Sequence, residues 1–288
     1  MDWMTGIQKA IDYIESNLLE NLDSKDIAKR ACISAFQFQR IFAILSEVTL
    51  GEYIRNRRLS LAAVDLQANK DKVVNIAMKY GYSTPESFSR AFERFHGVLP
   101  SGINNATTKM YSPLSIKVIL EGGSVMDYKI EELKGFKVLG KVEKQIIGDV
   151  RIGAFWDKCR ADGTFGVLEE LSTSPDKEHI GFADGTSYDG KSYLYYIVTP
   201  YEGDVMPDGF LIKEFPDQTW IKFRCVSFGE GKNTSDEEIY KKIYSEYFPT
   251  SEYVPAEYQM EVYPRCDGEY PDEVSEVWIA AKKKDTIE

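Results

Sequence analysis

The chain has 288 residues, 43% of them hydrophobic and 28% charged, with a net charge of −11. That length points to two domains, and that hydrophobic content is enough to build ordinary cores. No run approaches the ~20 apolar residues of a membrane span, and the opening MDWMTGIQKAIDYIESN lacks the basic and long apolar regions of a secretory leader. Four scattered cysteines and two isolated histidines, with no C-x-x-C pair, point to reduced thiols in the cytoplasm and offer no ligand set for a metal. The charge is divided unevenly. Residues 1–110 hold 14 Lys and Arg against 12 Asp and Glu, net +2, and residues 111–288 hold 21 against 34, net −13. The acidic average therefore says nothing against a nucleic-acid partner for the first part.

Helical periodicity fills residues 7–105. Ile7, Ala10, Ile11 and Ile14 form a first apolar stripe. Asp23 or Ser24 caps a short helix that ends near Ala31, with Leu22 placed to staple onto Ile27. Ser34 caps a second helix through AFQFQRIFAIL, whose buried face is Phe38, Ile41, Phe42 and Leu45. A longer helix spans about Leu50 to Ala68 and carries Arg55, Arg57 and Arg58, expected to be exposed, as candidate phosphate contacts. Short helices over 72–79 and 85–95 follow. Thr84 is the N-cap and Pro85 the first residue of the last one, and Phe88, Ala91, Phe92 and Phe95 make its apolar face. This stretch repeats itself. Ile27-Ala28 and Ser34 match Ile76-Ala77 and Ser83, and Arg40 and Phe42 match Arg90 and Phe92 with one extra residue in the second copy. Each copy is an Ile-Ala helix, a tight turn, a capping hydroxyl and a second helix with an outward arginine, which is the helix-turn-helix pattern.

Residues 106–125 change character around Gly122-Gly123 and read as a linker. From 126 the period becomes two. Two strands flank Lys134-Gly135. Helices follow near 150–160 and 165–172, then the strands HIGFAD, YLYYIVTPY, FLIKEFP and TWIKFRCVS, a helix through SDEEIYKKIYSEYF, and the strands YQMEVYP and SEVWIAAKK. The order suggests an antiparallel sheet covered by helices on one side and a duplicated strand-helix-strand-strand unit.

A recognition helix buries one face and offers polar side chains to base edges with the other. In the first copy Phe36, Gln37, Gln39 and Arg40 are left outward or flanking. Arg suits guanine, Gln suits adenine, and Phe36 suits a thymine methyl. In the second copy Glu86, Ser87, Ser89 and Arg90 are the counterparts, with Arg94 placed for a phosphate. Two copies with arginine at the equivalent place weigh against an ordinary solvated face. The second half shows no G-x-S-x-G, P-loop or metal cluster. It is rich in aromatics, and Glu261 and Glu276 fall inside strand patterns. A carboxylate among aromatic rings suits an organic cation, each ring adding ~0.5–2 kcal/mol. Alternation alone leaves Glu261 facing either water or a polar pocket.

Residues 7–105 resemble the DNA-binding domain of AraC/XylS-type transcription regulators, on IAKRACISAFQFQRIF, YIRNRRLSLAA and IAMKYGYSTPESFSRAFERFHGVLPS. After Pro-Ser the family usually has Tyr-Arg, where this chain has Gly102-Ile103-Asn104. The resemblance maps Phe36, Gln39 and Arg40, and Glu86, Ser87, Ser89 and Arg90, to base-facing positions. It implies two recognition helices in successive major grooves ~34 Å apart. Residues 126–283 resemble the gyrase-inhibitor-like effector-binding domain of Rob-type and multidrug-sensing regulators, on YKIEELKGFKVLGK, IGAFWDKC, FPDQTWIKFRC, EYQMEVYP and SEVWIAAKK. That resemblance places Glu261 in an aromatic cavity for cationic, lipophilic ligands, with Tyr263, Trp220, Trp156, Tyr196 and Trp278 as wall candidates.

The expected chain is multi-domain: an all-α double helix-turn-helix DNA-binding domain at 1–110, a linker at 111–125, and an α+β antiparallel-sheet ligand-binding domain of duplicated βαββ type at 126–288. Its expected partners are double-stranded promoter DNA, a small cationic or lipophilic effector and RNA polymerase, with no cofactor, metal or membrane. The role favoured is a non-enzymatic activator. Two other readings compete. One is a regulator-fused hydrolase of small electrophiles using Glu261. The other is a constitutive DNA binder whose acidic half docks a protein. Cys266 has Arg265 beside it but also Asp267 and Glu269 nearby, so it lacks the basic setting of an activated thiol.

Overall fold

The computed structural model describes residues 3–68, 71–105, 107–116, 126–225, 236–263 and 276–284. It divides into two compact units, Met1–Ile119 and Leu120–Glu288.

The first unit is built from α1 (Trp3–Ser16), α2 (Ser24–Arg30), α3 (Ala35–Ser46), α4 (Leu50–Gln67), α5 (Val73–Lys79) and α6 (Pro85–His96), with a 3-10 turn at Pro100–Asn105. Local chemistry sets the helix starts. Asp23 accepts from the Lys25 N–H, and Ser34 and Gln37 form a reciprocal capping box. Thr84 accepts from the Ser87 N–H ahead of Pro85. The two helix-turn-helix turns share one backbone device. Cys32 (φ 58°) and Gly81 (φ 84°) occupy the left-handed region at equivalent points of the repeat. α4 joins the copies and buries Leu59, Ala62, Ala63 and Leu66 against Ile76, Tyr80, Phe88 and Phe92. The 3-10 turn stands where the family pattern departs, and it still buries Ile103 in that core.

Composition assigns 111–116 to the linker, yet residues 107–116 run along the first unit as a strap. The Lys109 N–H donates to His96 Nδ1 at 3.2 Å, and the Tyr111 N–H to Ser60 Oγ at 2.8 Å. The Leu114 N–H donates to Tyr53 Oη at 3.0 Å, and the Ile116 N–H to Gln8 Oε1 at 2.8 Å. The strap has neither helix nor strand pairing, so side chains of α1, α4 and α6 satisfy its backbone donors.

The second unit is one eight-stranded antiparallel sheet in the order β1-β6-β8-β7-β3-β4-β2-β5. Its strands are β1 (Tyr128–Leu133), β2 (Phe136–Ile146), β3 (His179–Asp184), β4 (Ser192–Pro200), β5 (Leu211–Phe215), β6 (Gln218–Arg224), β7 (Tyr253–Tyr263) and β8 (Glu276–Lys283). Between them come α7 (Ile152–Ala161), α8 (Thr164–Leu171) and α9 (Asp236–Lys242), the last continuing through a π turn at Ile243–Tyr247 into α10 (Phe248–Thr250). The order has an internal symmetry: β5-β2-β4-β3 mirrors β1-β6-β8-β7, and the halves join at β3–β7. β1 and β2 do not pair across Lys134-Gly135. β1 pairs with β6, and β2 with β4 and β5, so the halves exchange their first strands. The two connections then meet, with the Gly135 N–H donating to Asp217 at 2.7 Å. A side chain at Gly135 would stand 2.8 Å from the Phe215 carbonyl, which explains the glycine.

The pleat separates two faces. Ile180, Phe182, Tyr196, Val198, Phe215, Trp220, Met260 and Ala280 form a core on one face. His179, Gly181, Gln259, Glu261 and Tyr263 alternate with these to the other face, where α7, α8 and α9 pack.

Candidate nucleic-acid interface and effector site

On α6, Glu86, Arg90 and Arg94 recur at i, i+4 and i+8 and are all exposed. Among the described residues neither arginine has an ion-pair partner. Ser89 is half-exposed beside them. Ser87 is half-exposed and committed to the cap, since its hydroxyl donates to the Thr84 carbonyl at 2.8 Å. On α3, Gln39 and Arg40 are half-exposed. Phe36 is a correction: it is buried, at 4% exposure, and not outward. It lies at the edge of the amphipathic stripe, and burying a phenyl ring stabilises by ~2 kcal/mol over leaving it wet. Gln37 is buried as well, because the capping box draws its side chain back to Ser34.

The arginines of α4 separate. Arg55 is exposed, 3.7 Å from Glu52. Arg57 is buried, with Nε and Nη2 on the Glu15 carboxylate at 2.9 and 2.7 Å and Nη1 donating to the Tyr111 carbonyl at 2.6 Å. Arg58 donates to the Leu18 and Glu20 carbonyls, both at 2.7 Å, and its guanidinium fills the space that a side chain at Gly81 would need. Arg57 and Arg58 therefore hold the fold together, and Arg55 is the one left facing solvent.

In the second unit, β7 carries Glu261 to the helix-covered face. Tyr240 of α9 donates its hydroxyl to Glu261 Oε1 at 2.9 Å, and the Tyr263 hydroxyl lies 3.4 Å from Oε2. Trp156 of α7 packs on the Tyr263 ring with centroids 4.7 Å apart, and its indole N–H donates to the Tyr195 hydroxyl at 3.3 Å. Gly181 pairs with Glu261 across the β3–β7 junction. A Cβ there would collide with the Tyr195 hydroxyl and stand 3.0 Å from the Trp156 ring, so a glycine lets these aromatics close over β3. The result is a half-buried carboxylate ringed by Tyr240, Tyr263 and Trp156, a setting that can pair with an organic cation.

Of the five expected wall residues, Tyr263 and Trp156 join Glu261. Trp220, Tyr196 and Trp278 lie on the opposite face of the sheet, where Tyr196 and Trp220 are closed in by neighbouring rings. Tyr196 stacks on Phe182 at 4.6 Å with planes 2° apart, and burial pushes its hydroxyl pKa up. Trp220 is fully buried, with Phe136 and Trp278 rings at 6.2 and 6.1 Å. Trp278 already holds a cation: Lys222 Nζ is 3.5 Å from its ring centroid and also pairs with Glu131 at 2.7 Å. Trp278 also lines a cleft of about 460 Å³ on that opposite face, between Leu133–Lys137 and Pro200–Glu202.

Tyr240, Tyr195 and Gly181 also belong to this site and are not among the residues expected there from the sequence. Two signals were present: Tyr240, Tyr244 and Phe248 recur every fourth residue, and Gly181 interrupts a strand. Among the described residues no group of three or more His, Cys, Asp or Glu is placed to hold a metal, and no helix is long and apolar enough to cross a membrane. The Cys159 thiol is buried and its pKa pushed up by that burial, the reverse of an activated nucleophile. Cys266 lies outside the described residues.

Comparison with known proteins agrees with this division. Residues 27–106 match the helix-turn-helix domain family, and residues 129–280 match the integron-associated effector binding protein family. The regulatory protein SoxS of Salmonella typhimurium is 40% identical over 95 residues, 33% of this chain and 89% of SoxS. The HTH-type transcriptional activator AarP of Providencia stuartii is 37% identical over 95 residues, 33% of this chain and 70% of AarP. The HTH-type transcriptional regulator YbfP of Bacillus subtilis is 34% identical over 186 residues, 60% of this chain and 63% of YbfP. Among solved structures, an integron cassette protein from the mobile metagenome of Vibrio cholerae aligns at 15% identity and a TM-score of 0.34, over 55% of this chain and 95% of that one. The chain belongs to the AraC-type helix-turn-helix transcription regulators and carries an effector-binding domain of the integron-associated family behind its DNA-binding one.

Proposed function

We propose that this regulator is a ligand-responsive activator of transcription. Residues 1–110 read promoter DNA, with Arg90 and Glu86 of α6 and Gln39 and Arg40 of α3 at base edges and Arg94 on a phosphate. Residues 126–288 take a lipophilic organic cation at Glu261. The observation that carries the reading is the Glu261 carboxylate, held by the Tyr240 and Tyr263 hydroxyls with Trp156 against the Tyr263 ring. A half-buried anion among rings is costly unless a cation or a donor meets it. The activator role is supported by the name of AarP, a transcriptional activator, and RNA polymerase is the partner that such a role would engage. Response follows if the effector binds more tightly to the conformation that engages the promoter productively. The test is selection of bound duplexes from a random library, with and without a panel of lipophilic cations. The expected result is an asymmetric consensus whose enrichment changes with a cation for the wild type and not for Glu261→Gln. An identical, cation-insensitive consensus for both proteins would refute ligand control, and no consensus at all would refute sequence reading.

A further inference from the structure

We infer that the Glu261 site is built for a cation that carries N–H donors, and that Gln259 is the residue enforcing this. The class is a protonated amine, an amidinium or a guanidinium on a lipophilic body, as against a quaternary onium with no N–H. The inference rests on the reading of Glu261 as the effector's counter-charge.

Gln259, Glu261 and Tyr263 alternate onto the same helix-covered face of β7, ~7 Å apart from one to the next. Opposite Gln259 and Glu261 on β3 stand Ala183 and Gly181, the two smallest residues. Neither provides a donor side chain. Gln259 is only 3% exposed. Its amide nitrogen donates to the Tyr244 hydroxyl, while its carbonyl Oε1 has no hydrogen-bond partner among the described residues. A buried amide oxygen left without a donor is unfavourable, and such a group in a folded protein calls for an explanation. Two residues along the strand, Glu261 is served by the hydroxyls of Tyr240 and Tyr263. This face of β7 therefore carries a carboxylate and, two residues away, an enclosed neutral amide carbonyl, both acceptors, and the carbonyl unserved.

A quaternary onium satisfies the carboxylate by charge alone and leaves the Gln259 carbonyl unserved. An ammonium, amidinium or guanidinium provides the same charge and N–H groups directed to both oxygens. Sites built around a hydrogen bond discriminate against ligands that cannot make it, because the buried partner is then stranded. Tyr240 and Tyr244 both come from the helix that contains the π turn Ile243–Tyr247, with Tyr244 inside that turn. π turns recur at functional sites, and here one sets the hydroxyl that holds Gln259 in orientation.

The test uses the full chain and a matched pair of probes, 4-phenylbenzylammonium and its N,N,N-trimethyl derivative, titrated by calorimetry. The added methyl groups favour the quaternary probe on hydrophobicity, so a preference for the primary ammonium reports hydrogen bonding. The wild type is expected to bind the primary ammonium about tenfold more tightly, the value of one hydrogen bond. Gln259→Met, close in volume and without the acceptor, is expected to bring the ratio near one chiefly by weakening the primary ammonium. Tyr240→Phe leaves the ratio in place. Equal affinity for both probes in the wild type overturns the inference without any variant. So does a ratio that survives in Gln259→Met. If neither probe binds, the Glu261 reading itself fails and takes this inference with it. If both bind and Glu261→Gln weakens both, the reading stands and the ratio alone decides.

Discussion

Replacing Arg57 with Met tests the reassignment of the α4 arginines from DNA contact to fold. The guanidinium makes a forked pair with Glu15, closest at 2.7 Å, with side-chain exposures of 6% and 20%. It also donates to the Tyr111 carbonyl at 2.6 Å. Its loss leaves the Glu15 carboxylate with the Tyr53 hydroxyl at 2.6 Å and strips the strap of one anchor. Removing one member of a buried pair costs ~3–5 kcal/mol, and the residual exposure of Glu15 places this case near ~3 kcal/mol. For a helical domain of this size, 1 kcal/mol moves the midpoint by ~4–8 °C, so a fall of at least ~12 °C is expected. Thermal melts of the full chain, followed by far-ultraviolet circular dichroism, report the helical first unit. Tryptophan fluorescence reports mainly the second, which holds Trp156, Trp220 and Trp278 of the chain's 4 tryptophans, and that transition should stay put. The double variant Glu15→Leu/Arg57→Met should regain more than half of the loss, because no carboxylate is then stranded. A shift below ~3 °C, or a double variant as unstable as the single one, would refute the reasoning.

Three further outcomes are expected. Arg90→Ala should leave the melting transition within ~0.5 kcal/mol of wild type, and it should relax base preference at one operator position at a cost of ~1–3 kcal/mol. A uniform affinity loss across all sequences would reassign Arg90 to a phosphate. Gly181→Ala should destabilise the second unit by ~1–3 kcal/mol, since its methyl would meet the Tyr195 hydroxyl and Trp156; an unchanged tryptophan-monitored transition would show that the aromatics do not close over β3. His179 is buried against Phe165 and its pKa is pushed by burial from 6.5 down to about 4. The unfolded chain then binds a proton that the folded one refuses, so stability present above pH ~6.5 is lost, by ~3 kcal/mol, as pH falls towards ~4. Urea titrations of wild type and His179→Gln across that window should diverge by this amount, and parallel curves would count against a neutral buried imidazole.

The helix-turn-helix repeat was legible because its determinants are local. Ser34 with Gln37, and Thr84 with Pro85, mark helix starts within four residues, and the Phe88–Phe92 stripe names the buried face of α6. The same locality explains why Phe36 is buried against expectation: it lies on the border of its stripe and needs a tertiary neighbour to decide its side. The three arginines of α4 are alike in sequence. Glu15, 42 residues away, selects Arg57, and the carbonyls at Leu18 and Glu20 select Arg58. Nothing periodic marks the strap, because its donors go to side chains of three different helices.

In the second unit, alternation identified strands and opposed Tyr195 to Tyr196. Which of the two shares a face with Glu261 depends on register: Gly181 pairs with Glu261 on one side and Ile197 on the other. A period of two carries parity but no origin, and only pairing between strands distant in the chain supplies one. By itself the sequence determined the elements, the repeat, the fold class and that the acidic Glu261 falls inside a strand, near the C-terminal end of β7. The tertiary structure decided which arginines are drawn into the fold, that Tyr240 and Trp156 close over that residue's face, and that the Gln259 amide meets Tyr244, since each of those depends on a partner more than ten residues away.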